Sequence, residues 1–336
     1  MKKQAYVTLT EVARSAGVSL STASRVFSRP GRVGMCTRNH VLKTAEKLGY
    51  HHDLLDVPME NRLHGFLAVV VTDLENIVSV RISRGVQRCC QLRKFGLSII
   101  DTQESVSLEA ASIRGILNHV DGLILGSSRL SDNQIRHFAS YKPIVVLNRV
   151  VPGVASIRVD ESDSIDASML YLRQTGHHSV SYMQGPENSW QNVVRLHAAV
   201  DSADKYGLDY HVLPCAYPVQ MRGLGAFKSF MRNPTDAVLA FNDDIAIEFI
   251  RYAKRQGMAI PEQVSVLGID DNQAGRLMTP MLSTIRIPHQ DMGFQAAQML
   301  IDEILHITDH RMTVRCVPAK LILRESTGEV SGPPRI

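Results

Sequence analysis

No apolar run in this 336-residue chain approaches the ~18 residues that a membrane-spanning helix needs. The first residues, MKKQAYVTLTEV, carry two lysines but no apolar core and no small-residue cleavage site, so they do not read as a secretory leader. Cysteine is scarce. The five cysteines, at 36, 89, 90, 215 and 316, are odd in number and scattered, with neither a disulfide rhythm nor C-x-x-C zinc spacing. That fits a reducing, cytoplasmic setting. No complete G-x-G-x-x-G or Walker A pattern is present. GLGAF at 223–227 is a near miss that follows no strand signal. A nucleophile elbow is missing too, and the paired histidines at 51–52 and 177–178 lack the i, i+4 spacing of a helical metal site. The expectation is therefore a protein that is not an enzyme, with no cofactor and no metal.

What is present is a lopsided charge. Residues 1–50 hold nine Lys/Arg against Glu11 and Glu46, while the rest of the chain is mildly acidic although the whole carries +4. A compact basic head on an acidic body is the signature of a nucleic-acid-binding module joined to something else. The plainer alternative is a solvated charged surface.

The head has helical punctuation. Thr8 with Glu11 three residues later forms a capping-box pattern. Leu9, Val12, Ala13 and Ala16 then share one helical face, and Gly17 ends that helix. Ser19 can cap a second helix with Ala23, Val26 and Phe27 facing inward. Its outer face carries Ser21 and Arg25, with Ser24 at the edge. A third helix is expected from near Thr37, burying Val41, Leu42, Ala45 and Leu48. Two short helices joined by a tight glycine turn make a helix-turn-helix, whose second helix enters the major groove. Arg25 could pair with guanine, Leu20 could touch a thymine methyl, and Ser21, Thr22 and Ser24 could reach bases or phosphates. An ordinary three-helix bundle is the alternative.

From Phe66 onward, near-continuous Val/Ile/Leu runs alternate with helical patterns: 66–71, 97–101, 120–126, 143–148, 179–185, 235–243 and 264–271. Such runs indicate strands buried on both faces, hence parallel sheets in a doubly wound α/β fold. The strands are too many for one sheet, so two lobes are expected, with a ligand cleft between them at the strand carboxyl ends. Asp73 closes the first strand there.

These stretches carry a family resemblance. TLTEVARSAGVSLSTASRVF followed by VGMCTRNHVLKTAEKLGY closely resembles the N-terminal domain of the LacI/GalR family of transcriptional regulators. The family's match implies that Leu20, Ser21 and Arg25 read bases. One departure is Gly34-Met35-Cys36, where the family usually opens its third helix with Ser-Glu-Glu. GHHSVSYMQGPE, AFNDDIAI, IPEQVSVLGIDD, TPMLSTIRIPHQDMG and LILRESTG look like the family's effector-binding core, in order. The resemblance implies a two-lobed, periplasmic-binding-protein-like core. Three strands, near 158–163, 287–291 and 320–324, would cross between the lobes. It places the helix-turn-helix at 1–50, a linker at 51–64, lobe 1 at 65–160 plus 291–320, and lobe 2 at 161–290 plus 321–330.

By the same resemblance, Arg195 matches the arginine that grips ligand and Asp270 the acid that accepts ligand hydroxyls. Asn148 and Asn242 match further polar contacts. Each is otherwise a turn or cap residue. Asp243, Asp244 and Asp271 read as caps or turns. Trp190, the one tryptophan, is either a core residue or a stacking platform for ligand. The family's Pro-Phe-Phe after the first strand is replaced here by Ile77-Val78-Ser79, so an aromatic wall is missing.

The implied function is a ligand-responsive repressor that binds a near-palindromic DNA operator as a homodimer, with a sugar or nucleoside effector in the cleft. An activator of the same architecture is the alternative. A solute-binding protein would need export and no basic head. The linker departs most from the family. Asp53 takes the usual Asn place and Met59 the leucine wedge, with Asp56 and Glu60 where small or basic residues are usual. Pro58 would be the fifth residue of a hinge helix and costs it about 3 kcal/mol.

Overall fold

In the computed structural model, residues 7–28, 32–48, 63–187, 189–214, 222–310 and 312–329 are described. The linker expectations at Asp53, Asp56, Pro58, Met59 and Glu60 lie outside them, as does Cys215. The chain divides into two compact units, Met1–Asn61 and Arg62–Ile336, a head and a body.

The head contains α1 (Leu9–Ser15), α2 (Leu20–Ser28) and α3 (Met35–Leu48). The Thr8/Glu11 capping box forms, satisfying two otherwise orphaned donors. Gly17 takes φ +63°, a left-handed turn that a side chain would strain. Val12, Ala13, Ala16, Ala23, Val26, Val41 and Ala45 make the core. The third helix starts two residues before the expected Thr37. Leu42 and Leu48, expected inside, are exposed, because small alanines bring the helices together along a narrower seam than the apolar pattern implied.

The body begins with β1 (Phe66–Val71), α4 (Ile77–Arg93), β2 (Gly96–Asp101), α5 (Val106–Ile116), β3 (Gly122–Gly126), α6 (Asp132–Ala139), β4 (Ile144–Leu147) and β5 (Ala155–Asp160). It continues with α7 (Ser162–Gln174), β6 (Ser179–Met183), α8 (Trp190–Tyr206), β7 (Asp209–Leu213), α9 (Arg222–Phe230), β8 (Ala237–Ala240), α10 (Asp243–Arg255), β9 (Ser265–Ile269), α11 (Gln273–Leu277) and β10 (Ser283–Arg286). It closes with α12 (His289–Ile304), β11 (Val314–Pro318) and β12 (Lys320–Ile322).

Two six-stranded sheets result, ordered β11-β5-β4-β3-β1-β2 and β12-β10-β9-β8-β6-β7. The first is parallel throughout, and the second is parallel except for the β10–β12 pair. Central strands β3, β4, β8 and β9 are buried along their whole length, as their unbroken apolar runs require. β7 and β11 sit at sheet edges, where a continuous apolar run is not needed.

The chain passes between the sheets after β5, at Ile287–Pro288, and at Ala319 between β11 and β12. The 287–291 segment is not the strand expected. It is a two-residue link, after which α12 starts at His289. α4 and α12 pack closely because Gly85 and Gly293 face the partner backbone: a Cβ on Gly85 would lie 1.9 Å from the Gln290 carbonyl oxygen. Asp121 anchors the start of the body by accepting the backbone N–H groups of His64 (2.8 Å) and Gly65 (2.7 Å).

Candidate functional site

On α2, Leu20 is half exposed and Arg25 is exposed with no partner among the described residues. Ser19 accepts the Thr22 backbone N–H (3.1 Å) and ties the hydroxyls of Ser21 (2.9 Å) and Thr22 (2.8 Å) to the helix start. Ser24 lies half-buried beside them.

In the body, the carboxyl ends of the parallel strands of both sheets face one cleft of about 700 Å³, open solvent included. Of the sequence-predicted residues, Asp73 and Asn148 enter it from the first sheet, and Arg195, Asn242 and Asp270 from the second. Trp190 does not. It begins α8, half exposed, in an adjoining depression where Arg149 lies over its ring at 5.7 Å. A lone tryptophan near the arginine in sequence is carried away from it by the first turn of the helix.

Each lining residue also has a local task. Asp73 accepts the Glu75 backbone N–H at 2.8 Å. Asn148, at φ +66°, donates to the Ser127 hydroxyl at 2.9 Å. Asn242 caps α10 by accepting from Ile245 N–H at 3.0 Å. Asp270, at φ +109°, accepts from His289 Nε2 at 2.9 Å.

Arg195 is the most constrained. It is buried against Glu161, whose two oxygens accept from its Nε and Nη2, the latter at 3.0 Å. Its Nη1 donates to the Phe241 carbonyl at 2.6 Å, and Asp270 lies 4.0 Å from Nη2. Burial alone would lower its pKa, but the Glu161 carboxylate outweighs that and raises it. Glu161 is also the residue before α7, which has no side-chain cap because this carboxylate is turned to Arg195. Sequence reasoning missed Glu161 and His289, which lie 34 positions from Arg195 and 19 from Asp270.

Arg81 and Gln191 make hydrogen bonds between the lobes beside the cleft. Arg81 on α4 donates to the backbone oxygens of Asp270 (2.6 Å) and Asp271 (2.9 Å). Gln191 on α8 donates to the Asn148 carbonyl at 3.3 Å. Asp271 is not a simple turn residue. Its buried carboxylate accepts from Arg276, Arg286 and Arg324 together. Asp243 is likewise a tie, accepting from the Asn272 N–H and the Thr284 hydroxyl, both at 2.6 Å. Burial, and then the nearby charge of Asp270, push its carboxyl up to about 8.

Residues 8–53 match the model of bacterial regulatory proteins of the lacI family, and residues 169–327 match a periplasmic binding protein-like domain. The chain belongs to the lacI family. It is 26% identical to the HTH-type transcriptional repressor CytR of Escherichia coli (strain K12), over 97% of this chain and 98% of the relative. It is 23% identical to catabolite control protein A of Priestia megaterium, covering 96% and 99%. Among solved structures, a transcriptional regulator CelR–cellobiose complex matches at TM-score 0.73 and 26% identity, covering 95% of this chain and 99% of that one. A Lac repressor dimer bound to operator and the anti-inducer ONPF shares the fold at TM-score 0.72 and 21% identity, covering 96% and 99%. This lacI-family chain is thus a DNA-binding transcription regulator and not an enzyme. Among its described residues no helix is long and apolar enough to cross a membrane.

Proposed function

We propose that this regulator is a cytoplasmic repressor that binds a near-palindromic operator as a homodimer, and that a sugar- or nucleoside-like effector in the cleft sets its DNA affinity. The observation that carries this is the cleft itself: Asp73 and Asn148 from one lobe face Arg195, Asn242 and Asp270 from the other. The functional parts are a head at 1–50, a linker at 51–64, lobe 1 at 65–160 plus 291–320, and lobe 2 at 161–290 plus 321–330. One head reads half a site, so a two-fold dimer follows from a two-fold operator. Leu20, Ser21 and Arg25 read base edges, with Thr22 and Ser24 reaching bases or phosphates. A ligand touching both lobes favours one lobe arrangement, and that arrangement biases how a dimer presents its heads. Coupling is then reciprocal between effector and DNA.

The test has two arms. Arg25→Ala is expected to weaken operator binding by about 1–3 kcal/mol while changing non-specific binding little. Equal losses on both DNAs refute the base-reading role. Asp270→Ala is expected to remove the effector response and keep operator affinity. An unchanged effector response in that variant refutes the cleft assignment.

A further inference from the structure

We propose that the cleft selects an unphosphorylated polyol carrying a protonated amine. This rests on the reading of the cleft as the effector site and names the chemistry that site accepts.

The argument starts from the cations. Two arginines line the cleft, and both are already engaged. Arg129 is held by Glu104 at 2.7 Å and by the Ser127 carbonyl at 3.2 Å. Arg195 is held bidentately by Glu161 and by the Phe241 carbonyl, and its remaining edge faces Asp270. Among the described residues, a phosphate entering here would meet no guanidinium that lacks a carboxylate partner. Arg129 keeps its Nη2 open but shares its charge with Glu104, and taking over Arg195 would break a buried ion pair, which is strongly unfavourable.

The acceptors are in the opposite condition. Asp73 uses one carboxylate oxygen for the Glu75 N–H, and Asp270 uses one for His289, so each keeps its second oxygen without a partner among the described residues. Among the described residues neither carboxylate has a guanidinium closer than 4.0 Å: Arg195, at that distance from Asp270, is paired with Glu161, and Arg81 bonds the Asp270 backbone carbonyl instead. His289 supplies an independent sign of a missing donor. It is buried at the cleft wall, and its Nδ1 has no hydrogen-bond partner among the described residues. In the neutral ring that donates from Nε2 to Asp270, Nδ1 is an acceptor, and a buried polar atom left without a partner is costly. These acceptors come from both lobes.

The approach to the cleft has the same sign. The adjoining depression is lined by Asp73 and Glu75 from the first lobe and by Asp244 and Glu248 from the second, with no cationic side chain among its lining residues. Acidic walls raise the local concentration of cations and lower that of anions. An ammonium with neighbouring hydroxyls supplies the donors that Asp73, Asp270 and His289 lack, with charge-assisted bonds to the two carboxylates.

The experiment is calorimetric titration of the full-length protein with matched sets. Each sugar set is a hexose, its 2-amino form, the N-acetylated form and the 6-phosphate, in the gluco, galacto and manno series. A nucleoside set is adenosine, 3′-amino-3′-deoxyadenosine and adenosine monophosphate. An aminated member of at least one set is expected to bind roughly tenfold tighter than its neutral counterpart. N-acetylation should remove that gain, and the phosphorylated member should show no binding. Asp73→Asn should bring aminated and neutral members close to parity. A phosphorylated member binding best, a neutral member binding as well as its amine, or a gain that survives Asp73→Asn overturns the proposal and leaves the polyol effector standing. Silence from every member of every set overturns both.

Discussion

Replacing Asp271 with asparagine tests how the cleft is held in shape. The Asp271 side chain is fully buried, and its oxygens accept from Arg276 Nη2 (2.5 Å), Arg286 Nε (2.6 Å) and Arg324 Nη2 (2.6 Å). Burial alone would raise its pKa, but the hydrogen bonds from the three arginines outweigh it and hold the carboxyl well below the ordinary value. An amide at this position removes the charge and turns a donor toward at least one guanidinium. The three arginines differ in what they lose. Arg276 and Arg286 have side chains 48% exposed and can return to water, whereas Arg324 is 13% exposed. Each half-exposed pair is worth up to about 1 kcal/mol, and the Arg324 bond about 2 kcal/mol. The expected loss for Asp271→Asn is about 3 kcal/mol, at the lower end for breaking a buried pair.

Equilibrium denaturation at pH 7 is the assay. Asp271→Asn should cost most, Arg324→Gln about 2 kcal/mol, and Arg276→Gln and Arg286→Gln under about 1 kcal/mol each. A depressed carboxylate stabilises the fold above its unfolded value of 3.8, so the gap between wild type and Asp271→Asn should close as pH falls below that value. The consequence reaches the cleft, because Asp270 and Asp271 both take positive φ (+109° and +50°) in the turn whose carbonyls Arg81 holds. A non-glycine turn of this kind persists only when its surroundings over-determine it. Effector affinity should therefore fall with stability in Asp271→Asn. A loss at Arg276→Gln equal to that at Arg324→Gln, or an Asp271→Asn protein as stable as wild type, refutes the reasoning.

Two further perturbations follow from single contacts. Asp243 has its folded-state pKa raised to about 8 against 3.8 unfolded, so the folded state binds the extra proton and stability declines as pH rises through that window. Asp243→Asn should flatten this slope, worth on the order of a few kcal/mol, and an unchanged slope in urea denaturation between pH 5 and 8 would count against it. Gly85→Ala should destabilise the first lobe by about 3 kcal/mol or prevent folding, because its Cβ meets backbone at 1.9 Å, whereas exposed Gly34→Ala, with nothing within 4 Å, should be neutral. Equal solubility and melting of the two variants would show that the helices part easily.

Much of the architecture was written locally. The Thr8/Glu11 box, Gly17 and the 3.6-residue apolar pattern placed the first helix of the head, because caps and turns depend on neighbours in sequence. Unbroken apolar runs marked β3, β4, β8 and β9, because a strand covered on both faces has no polar side. β7 and β11 escaped because an edge strand alternates or turns polar and carries no such run.

The cleft divides along the same line. That a cleft forms at the strand carboxyl ends was legible from the α/β alternation, and the family resemblance picked out Asn148, Arg195, Asn242 and Asp270, which line it together with Asp73. What those residues are free to do was not. Only the folded chain brings Glu161 onto Arg195, His289 onto Asp270 and three arginines onto Asp271. It also turns Trp190 out of the cleft into the adjoining depression. The sequence, with its family resemblance, marked five residues that line the cleft. Tertiary packing of distant segments decided which charges stay available there, because pairing is a matter of distance in space and the sequence carries no term for it.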